Sequence, residues 1–267
     1  MTMLKYLKIE WMKIKNYRVF QVFSILYMLG IVIIIYIFYK VYLNLIGSIQ
    51  QSMTGTPSEG SDFFQLFSPQ NIWRTVCFFT SFLLYLPGMV IINLFINEVN
   101  FKTHRQNIID GWKRETFIYT KIGLILCMSV VITVMNLLAT FIMFLITDTP
   151  FSFTGVGTLG LSFVQSFIYL MFALLLATFF RRSGVAIIVF FIYGLLLELI
   201  LMWLTSKIIP GMQHFLPLQV ADSLVKFPKA DDLYRNIPGM AVMLPAALVY
   251  AGFYVFLTVR KYKYDDL

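Results

Sequence analysis

Six long apolar runs dominate the pattern of hydrophobic and polar positions along the chain. A helix needs about 20 apolar residues to cross the hydrocarbon core of a bilayer, and each run reaches roughly that length. Five of the runs lack Asp, Glu, Lys and Arg, and the remaining run contains only Glu198. The pattern predicts an all-α polytopic membrane protein with one transmembrane domain over residues 1–267. The six predicted transmembrane helices are about 19–39, 76–96, 122–146, 158–180, 184–204 and 241–259.

A shorter amphipathic pattern precedes the first run. Within residues 3–18, the apolar residues Leu4, Leu7, Trp11 and Ile14 recur at steps of three and four, while most lysines point elsewhere. This pattern predicts an amphipathic interfacial helix with Trp11 at headgroup depth. The alternative is an ordinary basic flank that only sets the topology.

The connections between the runs predict further short elements. Residues 181–183 are so few that spans four and five must form a tight hairpin. Trp73, near the start of span two, is expected in the outer aromatic belt. Before the last span, Pro217 can open a short outer helix. The apolar stripe of that helix would consist of Leu218, Ala221, Leu224 and Val225.

Composition and charge agree with the membrane class. Hydrophobic residues make up 59% of the chain and charged residues only 13%, which is about half the charged share of soluble domains. The net charge of +8 would suggest a nucleic-acid partner in a soluble protein, but here the lipid bilayer is the expected environment. Fifteen Lys/Arg lie on one side of the predicted membrane and six on the other. The positive-inside rule therefore places both termini and the 97–121 loop in the cytoplasm of a multi-pass protein of the cell (plasma or inner) membrane.

The sequence offers little chemistry for catalysis. Cys77 and Cys127 lie in apolar runs, so neither a disulfide framework nor a metal site is expected. His104 and His214 lie on opposite sides of the predicted membrane. No glycine-rich phosphate loop is present in the sequence. We therefore predict no catalytic, cofactor-binding or metal-binding residues in this chain.

Glu198 is the exception within the spans. It should lie about two-thirds of the way toward the outer face, where a charge costs on the order of 2 to 3 kcal/mol. One interpretation is an intramembrane polar site that lines a substrate path or a subunit seam. The other is a structural carboxyl group that is protonated or pairs with Lys207 or Arg74.

The loop between spans two and three, residues 97–121, carries five Lys/Arg. Thr103 and Gln106 have the spacing of a capping box, which predicts a short helix over 104–110 that Gly111 stops or bends. This segment would present a partly apolar knob with a charged rim to a cytoplasmic partner; alternatively, it lies on lipid. The residues that share the apolar face are Ile108, Trp112 and Tyr119.

The same loop resembles the cytoplasmic loop of permease subunits of ABC-2 type ABC transporters. The resemblance extends in order to the amphipathic start, to FSPQNIW before span two and to LPLQVADSL before span six. Its specific part consists of Glu98, Thr103, Arg105, Gln106, Gly111, Arg114 and Lys121.

The resemblance implies that this loop contains a coupling helix, which docks on a separate ATP-binding subunit. Two such ATPase subunits, which bind ATP and Mg, would work with two permease subunits, identical or related. The N-terminal helix would be a connecting helix, and residues 215–227 would belong to an outer cap. By the same resemblance, the ATPase-coupling residues are Thr103, Arg105, Gln106, Ile108, Ile109, Asp110, Gly111, Trp112 and Arg114.

The expected function is therefore the membrane-spanning permease of an ATP-driven transporter, with export as the favoured direction and ATP hydrolysis on the partner. The first alternative is a peptide-immunity or sensing protein on the same scaffold. The second is a membrane-embedded enzyme, which is disfavoured because the sequence lacks a catalytic cluster.

Overall fold

Helices account for nearly all regular structure in the chain. The computed structural model describes residues 3–52, 65–103, 114–209, 211–228 and 237–264, and these residues contain no β-strand. Six helices are long and apolar enough to cross a membrane, which confirms the predicted all-α architecture. These helices, called spans 1 to 6, are Arg18–Gly47, Ile72–Asn100, Glu115–Ile146, Gly157–Phe180, Ser183–Ile208 and Met240–Tyr264.

Two of the spans change their helical type part-way. Span 2 consists of Ile72–Ser81, a 3₁₀ turn at Phe82–Leu84 and a second α-helix at Tyr85–Asn100. Span 5 consists of Ser183–Ile192, a π-helical turn at Tyr193–Leu197 and the α-helix Glu198–Ile208. The helices that contain spans 1 and 3 are slightly longer than the spans, at Arg18–Ser52 and Arg114–Ile146. The other short helices among the described residues are Met3–Lys15, Gln65–Phe67, Met212–Phe215 and Gln219–Asp222.

Span 4 forms the centre of the bundle and packs against spans 2, 3, 5 and 6. Two-thirds of its most apolar window is buried, compared with 17% for spans 1 and 5. Spans 1 and 5 therefore present apolar faces outward, as helices do when lipid or another protein covers them.

An even number of spans returns the chain to its starting side. The end of span 6 meets the start of span 3 there, where Lys263 Nζ lies 2.7 Å from Glu115 Oε1. We call this end of the bundle the terminal side and the opposite end the distal side. The assignment of the terminal side to the cytoplasm stays a prediction from the distribution of Lys and Arg.

The predicted hairpin between spans 4 and 5 is confirmed. Span 4 ends at Phe180, and Arg181 adopts a left-handed conformation with φ of 50°. Arg182 is extended and span 5 begins at Ser183, so two residues reverse the chain.

The predicted position of Trp73 in a lipid-facing belt is wrong. Its side chain is 1% exposed, and its indole N–H donates to the Ser152 carbonyl oxygen at 2.9 Å. Gly155 packs against the ring with a φ of 103°, and a Cβ there would lie 3.0 Å from Trp73 Cδ1. The indole finds its polar partner inside the protein and has no need of the lipid headgroups.

The short helix before span 6 is shorter than the sequence suggested. It covers only Gln219–Asp222, with Leu218 as its N-cap. The predicted apolar stripe is nevertheless buried, since its four members are at most 2% exposed: Leu218, Ala221, Leu224 and Val225. We call Gln219–Asp222 the distal helix.

Candidate functional site

A buried cluster of charges joins three elements on the terminal side. Lys121 Nζ lies 2.5 Å from Glu10 Oε2 and 2.8 Å from Glu98 Oε1. Lys13 Nζ approaches the same carboxylates at 3.4 Å and 3.9 Å. Glu10 is fully buried and Lys121 is 3% exposed. These four residues, called the ion-pair cluster, connect the N-terminal helix to the end of span 2 and the start of span 3.

Apolar packing next to the cluster aligns these charges. On the N-terminal helix, Glu10 lies one turn before Ile14, which is 2% exposed, so both face the bundle. On span 3, Phe117 is fully buried one turn before Lys121, and the ammonium lies 5.1 Å from its ring centre. Burial in this setting makes each charge depend on its partners, because removing one partner leaves the other buried and unpaired.

The predicted N-terminal helix is confirmed as a helix, and its place at the membrane interface stays a prediction. It forms over Met3–Lys15, and Trp11 remains 53% exposed on the outside. The sequence pattern nevertheless missed Glu10, which pairs with a lysine 111 residues later. The apolar spacing indicates which face is buried, but it does not indicate that an acid can lie on that face.

The described residues contain only the two ends of the predicted coupling segment. Span 2 ends at Asn100, Lys102 has a φ of 56°, and the Thr103 hydroxyl donates to the Glu98 carbonyl oxygen at 3.2 Å. Arg114 is the first residue of the next helix. The other predicted coupling residues lie outside the described part of the chain: Arg105, Gln106, Ile108, Ile109, Asp110, Gly111 and Trp112.

The resemblance motif is nevertheless partly assembled in space. Glu98 and Lys121, its first and last members, form a direct ion pair across the two ends of the loop. This pair therefore joins the end of span 2 to the start of span 3 by charge. The sequence contained both residues, but their pairing is a property of the fold.

Glu198 lies on the distal side and has no lysine or arginine partner among the described residues. Its carboxylate Oε1 accepts the backbone N–H groups of Leu218 and Gln219, each at 2.7 Å. The predicted pairing with Lys207 or Arg74 is absent from these contacts, and the Lys207 ammonium lies instead 3.7 Å from the Trp203 ring centre. Glu198 thus caps the start of the distal helix, as an N-terminal carboxylate does in many helices.

A second carboxylate lies on the same short helix. Asp222 accepts the Tyr169 hydroxyl at 2.8 Å and the Gln165 side-chain N–H at 3.0 Å. Burial raises the pKa of Asp222 to about 6, while the hydrogen bonds from Tyr169 and Gln165 act to lower it. The sequence reading missed this group because Asp222 lies outside the apolar runs. The polar residues of span 4, Gln165 and Tyr169, were the available signal.

Glu198 and Asp222 both line a cavity of about 350 Å³. Spans 2, 4 and 5 and the distal helix surround it, and the π-helical turn Tyr193–Leu197 forms part of its wall. Gly194 in this turn touches Tyr85, since a Cβ there would lie only 2.2 Å from the Tyr85 hydroxyl oxygen. π-helical turns are frequent at functional sites, and this one places Glu198 directly after it.

The described residues contain no group of three or more His, Cys, Asp or Glu that could hold a metal ion. Both cysteines are free, with Cys77 buried and Cys127 exposed. The structure therefore offers two sites built on carboxylates, one neutralised by lysine and one open to a cavity.

The chain matches no protein-family model, no curated protein and no solved structure. The function must therefore be inferred from the residues themselves.

Proposed function

We propose that the chain is the membrane-spanning permease subunit of an ATP-driven transporter of the ABC-2 type, working as an exporter. The observation that supports this most strongly is the ion-pair cluster, which lies where the segment between spans 2 and 3 leaves span 2 and enters span 3. A loop that transmits force must be joined rigidly to the helices on either side of it. Lys121 provides that connection by binding Glu98 across the loop and Glu10 on the N-terminal helix.

In this proposal, an ATPase subunit binds the loop, which is predicted to be cytoplasmic, and moves it during its nucleotide cycle. Spans 2 and 3 and the N-terminal helix then tilt together because one buried lysine holds all three. Rigid-body motion of packed helices is a common way to convert a local displacement into a global change. ATP and Mg bind to the partner, and a second permease subunit, identical or related, completes the path.

Purification of the intact complex in mild detergent tests the proposal. We expect an ATP-binding subunit to co-purify with the chain and to be identified by mass spectrometry. Arg105→Glu and Gly111→Trp should abolish this recovery while leaving the chain inserted in the membrane. Lys207→Glu, an exposed change on the distal side, is the matched control and should retain the partner. Full recovery with the loop variants would refute the coupling role.

Transport separates the remaining alternatives. An immunity or sensing protein on this scaffold would bind its peptide without moving a labelled substrate across a vesicle membrane. A membrane-embedded enzyme would be active with no ATPase present. ATP-dependent accumulation of substrate in inverted vesicles is the outcome that the permease proposal requires.

A further inference from the structure

The distal cavity combines an apolar wall with hydrogen-bond acceptors that lack partners. Its polar side includes Glu198, Asp222 and Gln165. Glu198 is 3% exposed and Gln165 is 1% exposed, so both are removed from bulk solvent. The apolar wall consists mainly of Phe78, Phe82, Leu195, Leu199, Met202 and Val225.

Two of the polar oxygens in this cavity are unused. Both backbone hydrogen bonds to Glu198 end on Oε1, so Oε2 accepts no hydrogen bond from any described residue. Gln165 donates through Nε2 to Asp222, and its buried Oε1 has no hydrogen-bond partner within the described chain. A buried acceptor without a donor, such as Gln165 Oε1, is costly, so a ligand that supplies an N–H donor there would relieve that penalty.

Charge points to the same ligand chemistry. The described residues contain no Lys or Arg that forms an ion pair with Glu198 or Asp222, in contrast to Glu10 and Glu98. An ammonium group provides both the missing positive charge and up to three N–H donors. Aromatic rings such as Phe78 and Phe82 can in addition bind a cation through their faces.

The size and lining of the cavity favour an organic cation over a bare metal ion. A volume of about 350 Å³ lies within the range of small-molecule pockets, which hold a mostly apolar body and a few polar groups. Calcium, by comparison, requires six to eight oxygen ligands at about 2.3 to 2.6 Å. The rim residues Phe82 and Leu199 are 57% and 61% exposed, so an apolar tail can extend outward along the lipid-facing side.

We propose that the distal cavity binds an amphiphilic organic amine, with its ammonium group between Glu198, Asp222 and Gln165 and its apolar body against the phenylalanine wall. This inference deepens the proposed function, on which it rests, by naming the chemical class of the cargo. Binding itself requires no ATPase, so the two proposals can fail separately.

Dansylcadaverine, a fluorescent amphiphile with a primary amine, is a suitable probe, and its N-acetyl derivative is the neutral control. The purified full chain in maltoside micelles should bind the amine saturably and show only linear micelle partition of the acetylated form. Glu198→Gln should weaken amine binding about tenfold or more, because the charge is lost while the amide oxygen can still accept both backbone N–H groups. Glu115→Gln, an exposed carboxylate outside the cavity, should leave binding unchanged.

Equal binding of the two probes, or wild-type affinity in folded Glu198→Gln protein, would overturn the proposal. Displacement of the amine by calcium, at a calcium concentration below that of the amine, would identify a metal site and overturn the proposal as well. If Glu198→Gln does not fold, Met202→Trp takes its place, because the tryptophan fills the cavity and keeps both carboxylates. Wild-type amine affinity in folded Met202→Trp protein would overturn the proposal. Amine binding without a co-purifying ATPase would refute transport alone, whereas ATPase recovery without amine binding would refute the cavity alone.

Discussion

Glu10 and Glu198 are equally hidden, at 0% and 3% exposure, yet their carboxylates have different partners. Glu10 on the terminal side binds the buried ammonium of Lys121. Glu198 on the distal side binds two backbone amides through one oxygen and faces a cavity with the other. One carboxylate pairs with a lysine within the protein, whereas the other has no basic partner among the described residues.

The difference separates a carboxylate with a structural role from one that can bind a ligand. A buried pair that is complete holds its elements together and has no free capacity for a ligand. A carboxylate with an unused oxygen beside a cavity retains that capacity, at a cost in stability. In our proposals the terminal side therefore transmits force and the distal side recognises a molecule.

The largest expected effect is on the terminal side, from Lys121→Met. The change leaves the buried Glu10 carboxylate next to the half-buried Glu98, and breaking a buried pair in this way costs about 3 to 5 kcal/mol. We expect a large fall in the free energy of unfolding, measured by denaturant titration in micelles. Lys263→Met removes the exposed pair with Glu115 and should change stability little. Similar losses in both variants would show that the ion-pair cluster is not special.

Neutralising the two acids tests the comparison directly. Glu10→Gln should destabilise the chain by about 1.5 to 3 kcal/mol, because it removes a charged hydrogen bond from a buried lysine. Glu198→Gln should be neutral or stabilising in the absence of ligand, since the amide still caps the distal helix and carries no charge. Both variants can be compared in one unfolding series. A greater loss for Glu198→Gln would reverse our assignment of the two sides.

Gly194→Ala sharpens the description of the cavity wall. The new methyl group would meet the Tyr85 hydroxyl oxygen at 2.2 Å, and overpacking of this kind costs about 1 to 3 kcal/mol. Tyr85→Phe removes that oxygen and should restore much of the stability in the double variant. The test is a double-mutant cycle of unfolding free energies. Additive losses would mean that spans 2 and 5 do not touch at this point.

The smallest effect should come from Tyr169→Phe. The Tyr169 hydroxyl donates to the Asp222 carboxylate, so its loss should cost about 1 kcal/mol. The hydrogen bond favours the charged form, so its loss should also raise the pKa of Asp222 above its value of about 6. Infrared titration of the protonated carboxyl band can measure the shift, with Asp222→Asn to assign the band. A lower pKa in the variant would contradict the observed geometry.

The fold was largely predictable because six apolar runs of this length can form few folds other than a bundle of membrane-spanning helices. The boundaries of the helices were less predictable. The helix that contains span 1 continues past Lys40 to Ser52, whereas the apolar run ends at residue 39. A single lysine near the end of a span therefore does not stop the helix. The Lys40 ammonium lies 5.7 Å from the Tyr36 ring centre. A hydropathy pattern reports how apolar a segment is and says little about where its hydrogen bonds end.

The sites were harder to predict because their members are distant in sequence. Glu198 could be singled out from the sequence as the one charged residue within the apolar runs, but its partners, the amides of Leu218 and Gln219, are backbone groups that any residue could supply. The pairing of Glu10 with Lys121 crosses 111 residues and depends on how the N-terminal helix packs. The π-helical turn before Glu198 likewise follows from side-chain packing, and no spacing in the sequence indicates it.

The hydrogen bonds that Leu218 and Gln219 donate to Glu198 set an order of events during synthesis. The ribosome adds Leu218 to the chain 20 residues after Glu198. At about 5 to 20 residues per second, this separation corresponds to an interval of roughly 1 to 4 seconds. During that interval the nascent span 5 carries Glu198 without the two backbone N–H donors that it has in the folded chain. The hydrogen bonds that hold this carboxylate can form only after residues 218 and 219 have been synthesised.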